Sequence, residues 1–424
     1  MTKEDSQIGV VGLGYVGLPL TLAFAESGYD VIGVDISEQR IATLRGGNSY
    51  LRDVTDEEVE AAVAAGFEPT TSYDALADVS LVSICVPTPY SKTGHPEVSY
   101  VVEATSALAD VLSEDTKVVL ESTVYPSATE ELVAETLADS GWTVGEDVFV
   151  AHSPERIDPG NEEYHHTEIP KVVGGVTDAC GDQAEAWYSE VFEEIVRVNS
   201  AREAEMTKLL ENTFRSINIG MINEMAMIAD ELDIDIWEVI DAASTKPFGF
   251  MPFYPGPGLG GHCIPVDPQY LSWKANQHEI ETRFIDLADR INRDMPEYVV
   301  DRVLKTLSGK RVAMAGANIL VLGVAYKPNV SDTRESPAYD IIKRMQDLGA
   351  TVAYHDPHVP AFEVEDTEFT STPLREDTLA SQDCVILVTD HSSIDVERVV
   401  EHAPLVFDTR NATKGLQPAN IQRL

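Results

Sequence analysis

Cys263 lies in the run GPGLGGHCIPVDP, with four glycines in the eight residues before it and Asp267 four positions after it. A reduced cysteine is more often a small buried hydrophobe than a nucleophile. A buried cysteine, however, normally sits on a regular element. One carried by a glycine-rich loop, among exposed backbone N–H groups and close to an acid, has the surroundings of a reactive thiol. From spacing alone both readings stand. A second candidate group is Lys208, Asn212 and Arg215, spaced i, i+4, i+7 so that a cation and two polar donors share one helical stripe. The stripe is flanked by Leu209, Leu210, Phe214, Ile217 and Ile219. The bland alternative for Lys208 is a snorkelling surface lysine. The pairing of amine with amide, and the scarcity of Lys plus Arg (30 against 72 Asp plus Glu), favour chemistry.

A third group is Gly12, Gly14 and Gly17, a G-x-G-x-x-G directly after the apolar run from Gln7 to Val11. Such glycines permit a tight turn and let a pyrophosphate approach the free N–H groups of a helix N-terminus. Asp35 ends the next apolar run, about 20 residues on, where a carboxylate meets a ribose diol and repels a 2′-phosphate. Strand, turn, helix, strand and acid in that order predict NAD. Arg40 leaves NADP open, since a base there could accept a 2′-phosphate.

The elements that must position these groups follow from periodicity. IGVVGLG, YDVIGVD, VSLVSICVP, TKVVLEST and DVFVAHSP alternate with amphipathic stretches, which predicts a parallel doubly wound sheet. MTKLLENTFRSINIGMINEMAMIADEL reads as one long helix, and strand signals nearly vanish from about Ala201 to Lys305. Alternation returns with ILVLGVAYKP, ATVAYHDP, DCVILVTD and PLVFDTR. The expected fold is α/β, with two Rossmann-like doubly wound parallel-sheet domains (1–200 and 306–424) joined by a central helical domain (201–305). FGFMPFYPGPGLGGHCIPVDP can be neither regular helix nor regular strand, and a loop of that length is usually functional.

Hydrophobic residues make up 43% and charged residues 24% of the 424, as in ordinary globular proteins. The formal charge is −42, with acids spread along the chain, a pattern that suggests a halophile's cytosol. Molar salt shortens the Debye length to roughly 3 Å and screens such a surface. A nucleic-acid partner is not expected, since clustered Lys and Arg are lacking. Cys85, Cys180, Cys263 and Cys384 lie far apart without metal-ligand spacing, so neither disulfides nor a metal is expected. With no signal peptide and no bilayer-length apolar run, the expectation is a soluble cytoplasmic protein without a membrane partner.

Taken together, the chain resembles the UDP-glucose/GDP-mannose dehydrogenase family over essentially its whole length. The resemblance rests on GLGYVGLPL (Gly12 to Leu20), CVPTP (Cys85 to Pro89), EST (Glu121 to Thr123), SPER (Ser153 to Arg156), Lys208 with Asn212, GGHCIPVDP (Gly260 to Pro268) and YKPNVSDTRESP (Tyr326 to Pro337). It implies a four-electron oxidation of a sugar CH2OH to a carboxylate with two NAD per sugar. Carried onto the matching positions, Cys263 forms a thiohemiacetal and then a thioester, and water releases the uronate. Lys208 and Asn212 would stabilise oxyanions, Lys208 being also a candidate acid/base, while Thr123, Glu155 and Asp267 would position or activate water. The resemblance also implies cofactor contacts at Gly12, Leu13, Gly14, Tyr15, Val16, Gly17, Asp35, Arg40, Thr88, Thr123 and Arg334. Substrate contacts are implied at Glu155, Arg156, Lys208, Asn212, Arg215, Tyr254, Gly260 and Lys327. The last region would bind the UDP-sugar, and the central helix would make a homodimer.

Arg156 to Asn161 and Val266 depart from the UDP-glucose branch and are similar to the UDP-N-acetylglucosamine 6-dehydrogenase branch; UDP-N-acetylmannosamine and UDP-glucose stay as alternatives. A two-electron β-hydroxyacid-type dehydrogenase shares a Rossmann and a helical domain with a lysine. It lacks a third region and needs no cysteine, so it is the distant alternative.

Overall fold

The computed structural model describes residues 6–424 apart from 52–53, 92–93, 157–165, 262 and 366. The chain forms two compact units, Met1–Glu211 with Gln269–Ile280, and Asn212–Pro268 with Glu281–Leu424.

The first unit is built on eight strands: β1 (Gln7–Val11), β2 (Asp30–Val34), β3 (Glu68–Thr70), β4 (Leu81–Ile84), β5 (Thr116–Leu120), β6 (Val148–His152), β7 (Lys171–Gly175) and β8 (Ile195–Arg197). Their order is β3-β2-β1-β4-β5-β6-β7-β8. Neighbours run parallel except β6 against β7. Both faces are covered, so β1, β4 and β5 carry near-continuous apolar runs, with Ile8, Val10, Leu81, Val82, Val118 and Val119 fully buried. Helix Gly17–Glu26 adds Leu18, Leu20 and Phe24 to this core. Burying each such side chain contributes about 1.5–3 kcal/mol. The strand order reverses between β1 and β4, and the crevice at such a reversal is where α/β sheets bind ligands.

The second unit holds β9 (Asn318–Leu322), β10 (Thr351–His355), β13 (Cys384–Leu387), β14 (Val406–Asp408) and β15 (Ile421–Arg423) in the order β10-β9-β13-β14-β15, all parallel; a hairpin of β11 (Ala361–Val364) and β12 (Thr367–Thr370) lies outside that sheet. Its order reverses between β9 and β13. Helices Arg283–Gly309 and Pro337–Asp347 bury Met295, Val299, Leu307, Ile341, Ile342 and Met345 against it. The latter helix starts cleanly because Ser336 caps it and Pro337 holds its first position.

The long helix is Ala201–Glu231, as the periodicity predicts. Past its middle it approaches helix Arg283–Gly309 closely: a Cβ on Gly220 would lie 3.1 Å from the Cα of Ala288. The pair is tied by two buried asparagines. Asn223 donates to Asn292 at 2.9 Å, Asn292 donates to the Ser216 carbonyl at 3.2 Å, and Gly256 N–H donates to Asn223 at 3.0 Å. The start of the cysteine loop is thereby fixed to the helices. Residues 248–266 form no regular element among those described, and helix Asp267–Gln277 begins directly after them.

Candidate active site

The three glycines of the first crevice differ in what requires them. Gly12 has φ +91°, and a Cβ there would lie 2.6 Å from the Cys85 carbonyl oxygen. A Cβ on Gly17 would lie 1.8 Å from the Gly12 oxygen, whereas one on Gly14 would meet no protein atom within 4 Å. Packing accounts for the first and third glycines; the second keeps a space clear for a ligand, which is what a pyrophosphate requires there. Asp35 is buried. Its Oδ2 accepts from Leu13 N–H at 3.0 Å and from the Arg40 guanidinium at 3.1 Å, and its Oδ1 accepts from Ser37 N–H at 2.8 Å. A carboxylate offers about four acceptor positions, so capacity is left for a ribose hydroxyl. Leu13 has its side chain in the core, while Tyr15 is about half exposed. Thr88 donates to the Thr123 carbonyl at 2.7 Å, and Tyr270 donates to the Thr88 carbonyl at 2.7 Å, so Thr88, Thr123 and helix Asp267–Gln277 hold one another. These residues fit a bound NAD.

Beneath this crevice the unit buries an ionic cluster. Glu155 and Glu121 both pair with Lys171, at 3.1 and 2.7 Å; Tyr188 donates to Glu121, and Ser83 contacts Tyr188 at 3.2 Å. Burial alone would lower the Lys171 ammonium, but the two carboxylates outweigh it and hold it above the usual lysine range. Burial pushes Glu121 up, partly offset by Lys171. Burial, with Lys171 nearby, depresses His152 to about 3, and burial beside Glu121 lifts the Cys85 thiol well up. Arg156 follows Glu155 and pairs with Glu211 at 2.7 Å. The neighbouring residues 157–161, from which the sugar preference is read, lie outside those described. Glu205, three residues before Lys208, accepts from Ser127 and Thr129 N–H at 2.6 and 2.7 Å. Burial pushes its carboxyl up to about 7 despite those bonds.

In the second unit Cys263 is exposed, whereas Cys85, Cys180 and Cys384 are buried. Its carbonyl accepts Asp267 N–H at 2.8 Å, so it forms the turn that opens helix Asp267–Gln277. Asp267 and Asn212 are buried, and Asn212 Nδ2 donates to Asp267 at 2.5 Å. The helix stripe and the cysteine loop thus meet through that pair. Gly260 and Gly261 are glycines because Tyr326 leaves no room: their Cβ atoms would fall 2.7 and 2.8 Å from it. Gly261 N–H also donates to the Arg334 carbonyl at 2.9 Å, which ties the cysteine loop to the 323–336 loop.

That second loop leaves β9 at the reversal point of its sheet. Asp356, at the end of β10, accepts from Val324, Ala325, His358 and Val359 N–H and from His391 Nε2 at 2.7–3.1 Å. Burial would raise its carboxyl, but these donors outweigh it and hold it down to about 2. His391 Nδ1 in turn accepts Asn329 N–H at 3.0 Å, which fixes the ring proton on Nε2. Asn329 has φ +62° and is held also by Ser392, so the segment carrying Lys327 is pinned from beneath. Lys327 is half-buried; Arg334 is exposed and folds onto Asp332 at 2.6 Å.

Of the other expected site residues, Lys208 is half-buried, Arg215 is exposed, and Tyr254 is exposed and stacked on Trp237 with ring centroids 6.1 Å apart. Sequence reasoning missed Lys171, Glu205 and the Asp356–His391 pair. The available signal for Lys171 was a lysine opening an apolar strand, IPKVVGG, in a lysine-poor chain. Among the described residues no cluster of three His, Cys, Asp or Glu could hold a metal ion, and no helix is long and apolar enough to cross a membrane.

Comparison with known proteins places these sites in one family. Residues 6–195 match the UDP-glucose/GDP-mannose dehydrogenase family's NAD binding domain, 202–294 its central domain and 320–415 its UDP binding domain. The UDP-N-acetyl-D-glucosamine 6-dehydrogenase of Pseudomonas aeruginosa is 37% identical over 393 residues, covering 92% of this chain and 91% of that protein. The UDP-N-acetyl-D-mannosamine dehydrogenase of Methanococcus maripaludis strain S2 is 34% identical over 423 residues, covering 96% and 93%. The solved UDP-D-ManNAc dehydrogenase of Pyrococcus horikoshii superposes with a TM-score of 0.90 at 31% identity, covering 98% of each chain. The chain belongs to the UDP-glucose/GDP-mannose dehydrogenase family and is an NAD-dependent oxidoreductase of nucleotide sugars.

Proposed function

We propose that the chain oxidises C6 of UDP-N-acetylglucosamine to the uronate, through a thioester on Cys263. The observation that carries the covalent route is the exposed Cys263 on its glycine-held loop, joined by the buried Asn212–Asp267 pair. Gly12 to Gly17, Asp35, Thr88 and Thr123 would hold NAD, which when bound supplies hydride acceptance, twice per sugar. The Cys263 thiolate adds to the C6 aldehyde, and Lys208 and Asn212 stabilise the resulting oxyanion. After the second oxidation the acyl group remains on sulfur. Water, oriented or deprotonated by Glu155, Asp267 or Thr123, attacks that carbonyl, and the C–S bond breaks to give the carboxylate and the thiol. Lys327 would meet the UDP phosphates, and Arg40, Arg334, Arg156, Arg215, Tyr254 and Gly260 complete the cofactor and substrate contacts.

Two relatives acting on N-acetylhexosamine nucleotides support an acetamido sugar, and Arg156 with Val266 supports the glucosamine epimer. Turnover with UDP-N-acetylglucosamine, UDP-N-acetylmannosamine, UDP-N-acetylgalactosamine and UDP-glucose tests the choice. A higher specificity constant for any of the last three overturns the sugar and leaves the chemistry standing. Two NADH per sugar are expected; one would favour two-electron chemistry. Cys263→Ser should block uronate formation at least a thousandfold, since serine is the weaker nucleophile, and an unchanged rate would exclude the thioester.

The division of labour we propose is NAD binding by 1–200, catalysis and homodimer contacts by 201–305, and UDP-sugar binding by 306–424. Exposed Met221, Met225 and Ile228 on the long helix, with exposed Leu232 just past its end, support the dimer. The charge of −42 supports a halophile's cytoplasm, and the melting temperature should rise from millimolar to molar KCl.

A further inference from the structure

The buried Glu121–Lys171–Glu155 cluster has two acids for one base, and its middle member touches both. We infer that Lys171 and Glu121 are positioning residues that set the protonation of Glu155 for attack of water on the acyl group, Lys171 favouring the base form and Glu121 opposing it. This rests on the reading that Glu155 serves that water.

All three side chains are buried, at 3%, 0% and 10% exposure for Lys171, Glu121 and Glu155, so each Coulomb contact acts with little screening. The ammonium 3.1 Å from Glu155 favours its charged form, and the neighbouring Glu121 carboxylate opposes it. Lys171 sits on β7 and Glu121 at the end of β5, so strands on either side of β6 fix their separation from Glu155. Three described groups beside the cluster keep one state between pH 5 and 9. Burial holds the Tyr188 phenol and the Cys85 thiol protonated, and holds His152 neutral. Arg156, whose N–H donates to Glu155 at 2.6 Å, directs its guanidinium to Glu211. Within the cluster, Glu121 competes with Glu155 for one cation.

The two positioning residues should displace the pH dependence in opposite directions. The pH–rate profile of uronate release, together with intact-mass detection of acyl-enzyme on Cys263, reads both. Lys171→Met should move the ascending limb to higher pH by about one unit, slow release roughly tenfold at pH 7 and let acyl-enzyme accumulate. Glu121→Gln should move the limb to lower pH, and Lys171→Arg should restore a profile near that of the unaltered enzyme. Glu121→Gln leaves the Lys171–Glu155 ion pair in place, so it supplies the test by itself if Lys171→Met does not fold. Lower rates with unmoved limbs, or limbs moved the same way by Lys171→Met and Glu121→Gln, would mean a purely structural cluster and overturn the inference. Glu155→Gln separates the two ideas: undiminished release in that variant overturns the role of Glu155 itself, whereas blocked release with unmoved limbs in the others overturns only the positioning.

Discussion

The two Rossmann-like sheets place an aspartate at the same point and use it for different ends. Asp35 follows β2, which pairs with β1; Asp356 follows β10, which pairs with β9. Each accepts backbone N–H groups from the loop leaving the neighbouring strand, Leu13 in one case and Val324 with Ala325 in the other. Asp35 keeps acceptor capacity toward the crevice. Asp356 is saturated by five donors, His391 among them. In the function we propose, the glycine turn offers backbone N–H groups to the cofactor and the longer loop offers the Lys327 side chain to the substrate, so the first carboxylate is left to recognise and the second to hold its loop in place.

That contrast breaks if the two acids respond alike to removal. Asp356→Ala strips the partner from four buried N–H groups and His391, and should lower stability by about 3–5 kcal/mol, read as a fall in urea midpoint. The KM for NAD should stay as it was. An unaltered midpoint would mean that Asp356 does not hold its loop.

Asp35→Asn keeps an acceptor for Leu13 but loses the charge, and should raise the KM for NAD about tenfold, or about 1.4 kcal/mol, while weakening discrimination against NADP. Its urea midpoint should barely move. A large loss of stability with unchanged NAD affinity would invert the comparison.

The sequence disclosed one of these aspartates and not the other for a physical reason. Gly12 and Gly17 stand where packing admits only glycine and Gly14 where the ligand space is kept clear, so their spacing announces the crevice, and Asp35 is found by counting from it. Cys263 and Asp267 were legible because a cysteine in a glycine-rich loop contradicts the ordinary place of cysteine. No comparable local rule marks Asp356, whose partners include a histidine 35 positions away, nor Lys171, whose carboxylates lie 50 and 16 positions away. Those contacts exist only once strands are paired. For the same reason the apolar runs marked β1, β2, β4, β5, β6, β9, β10, β13 and β14, while β3, β7, β8, β15 and the hairpin β11–β12 passed unnoticed.

A smaller effect sharpens the side-chain role of the second loop. Lys327→Met should raise the KM for the UDP-sugar by roughly tenfold, the loss of one charge-assisted contact of about 1.4 kcal/mol, and leave the KM for NAD unchanged. A rise confined to NAD would assign Lys327 to the cofactor instead.

The smallest expected effect extends the comparison to a third buried acid. Glu205 and Asp356 both accept backbone N–H groups, but Glu205 has two such donors and Asp356 has four plus His391. With few donors burial wins and Glu205 rises to about 7; with many, hydrogen bonding wins and Asp356 falls to about 2. The consequences for stability have opposite signs and separate windows. A raised carboxyl binds its proton more tightly in the folded state, so its contribution is present below the ordinary glutamate range and is lost as pH rises through about 7. A depressed one contributes above the ordinary aspartate range and loses that contribution as pH falls through about 2. Between pH 6 and 8 the unaltered protein should therefore lose about 1 kcal/mol relative to Glu205→Gln, while its difference from Asp356→Asn stays constant. Urea midpoints of the three proteins at pH 6, 7 and 8 measure this. Parallel midpoints for the unaltered protein and Glu205→Gln would show that the two hydrogen bonds from Ser127 and Thr129 suffice to keep Glu205 ionised, and that donor number does not separate the two acids.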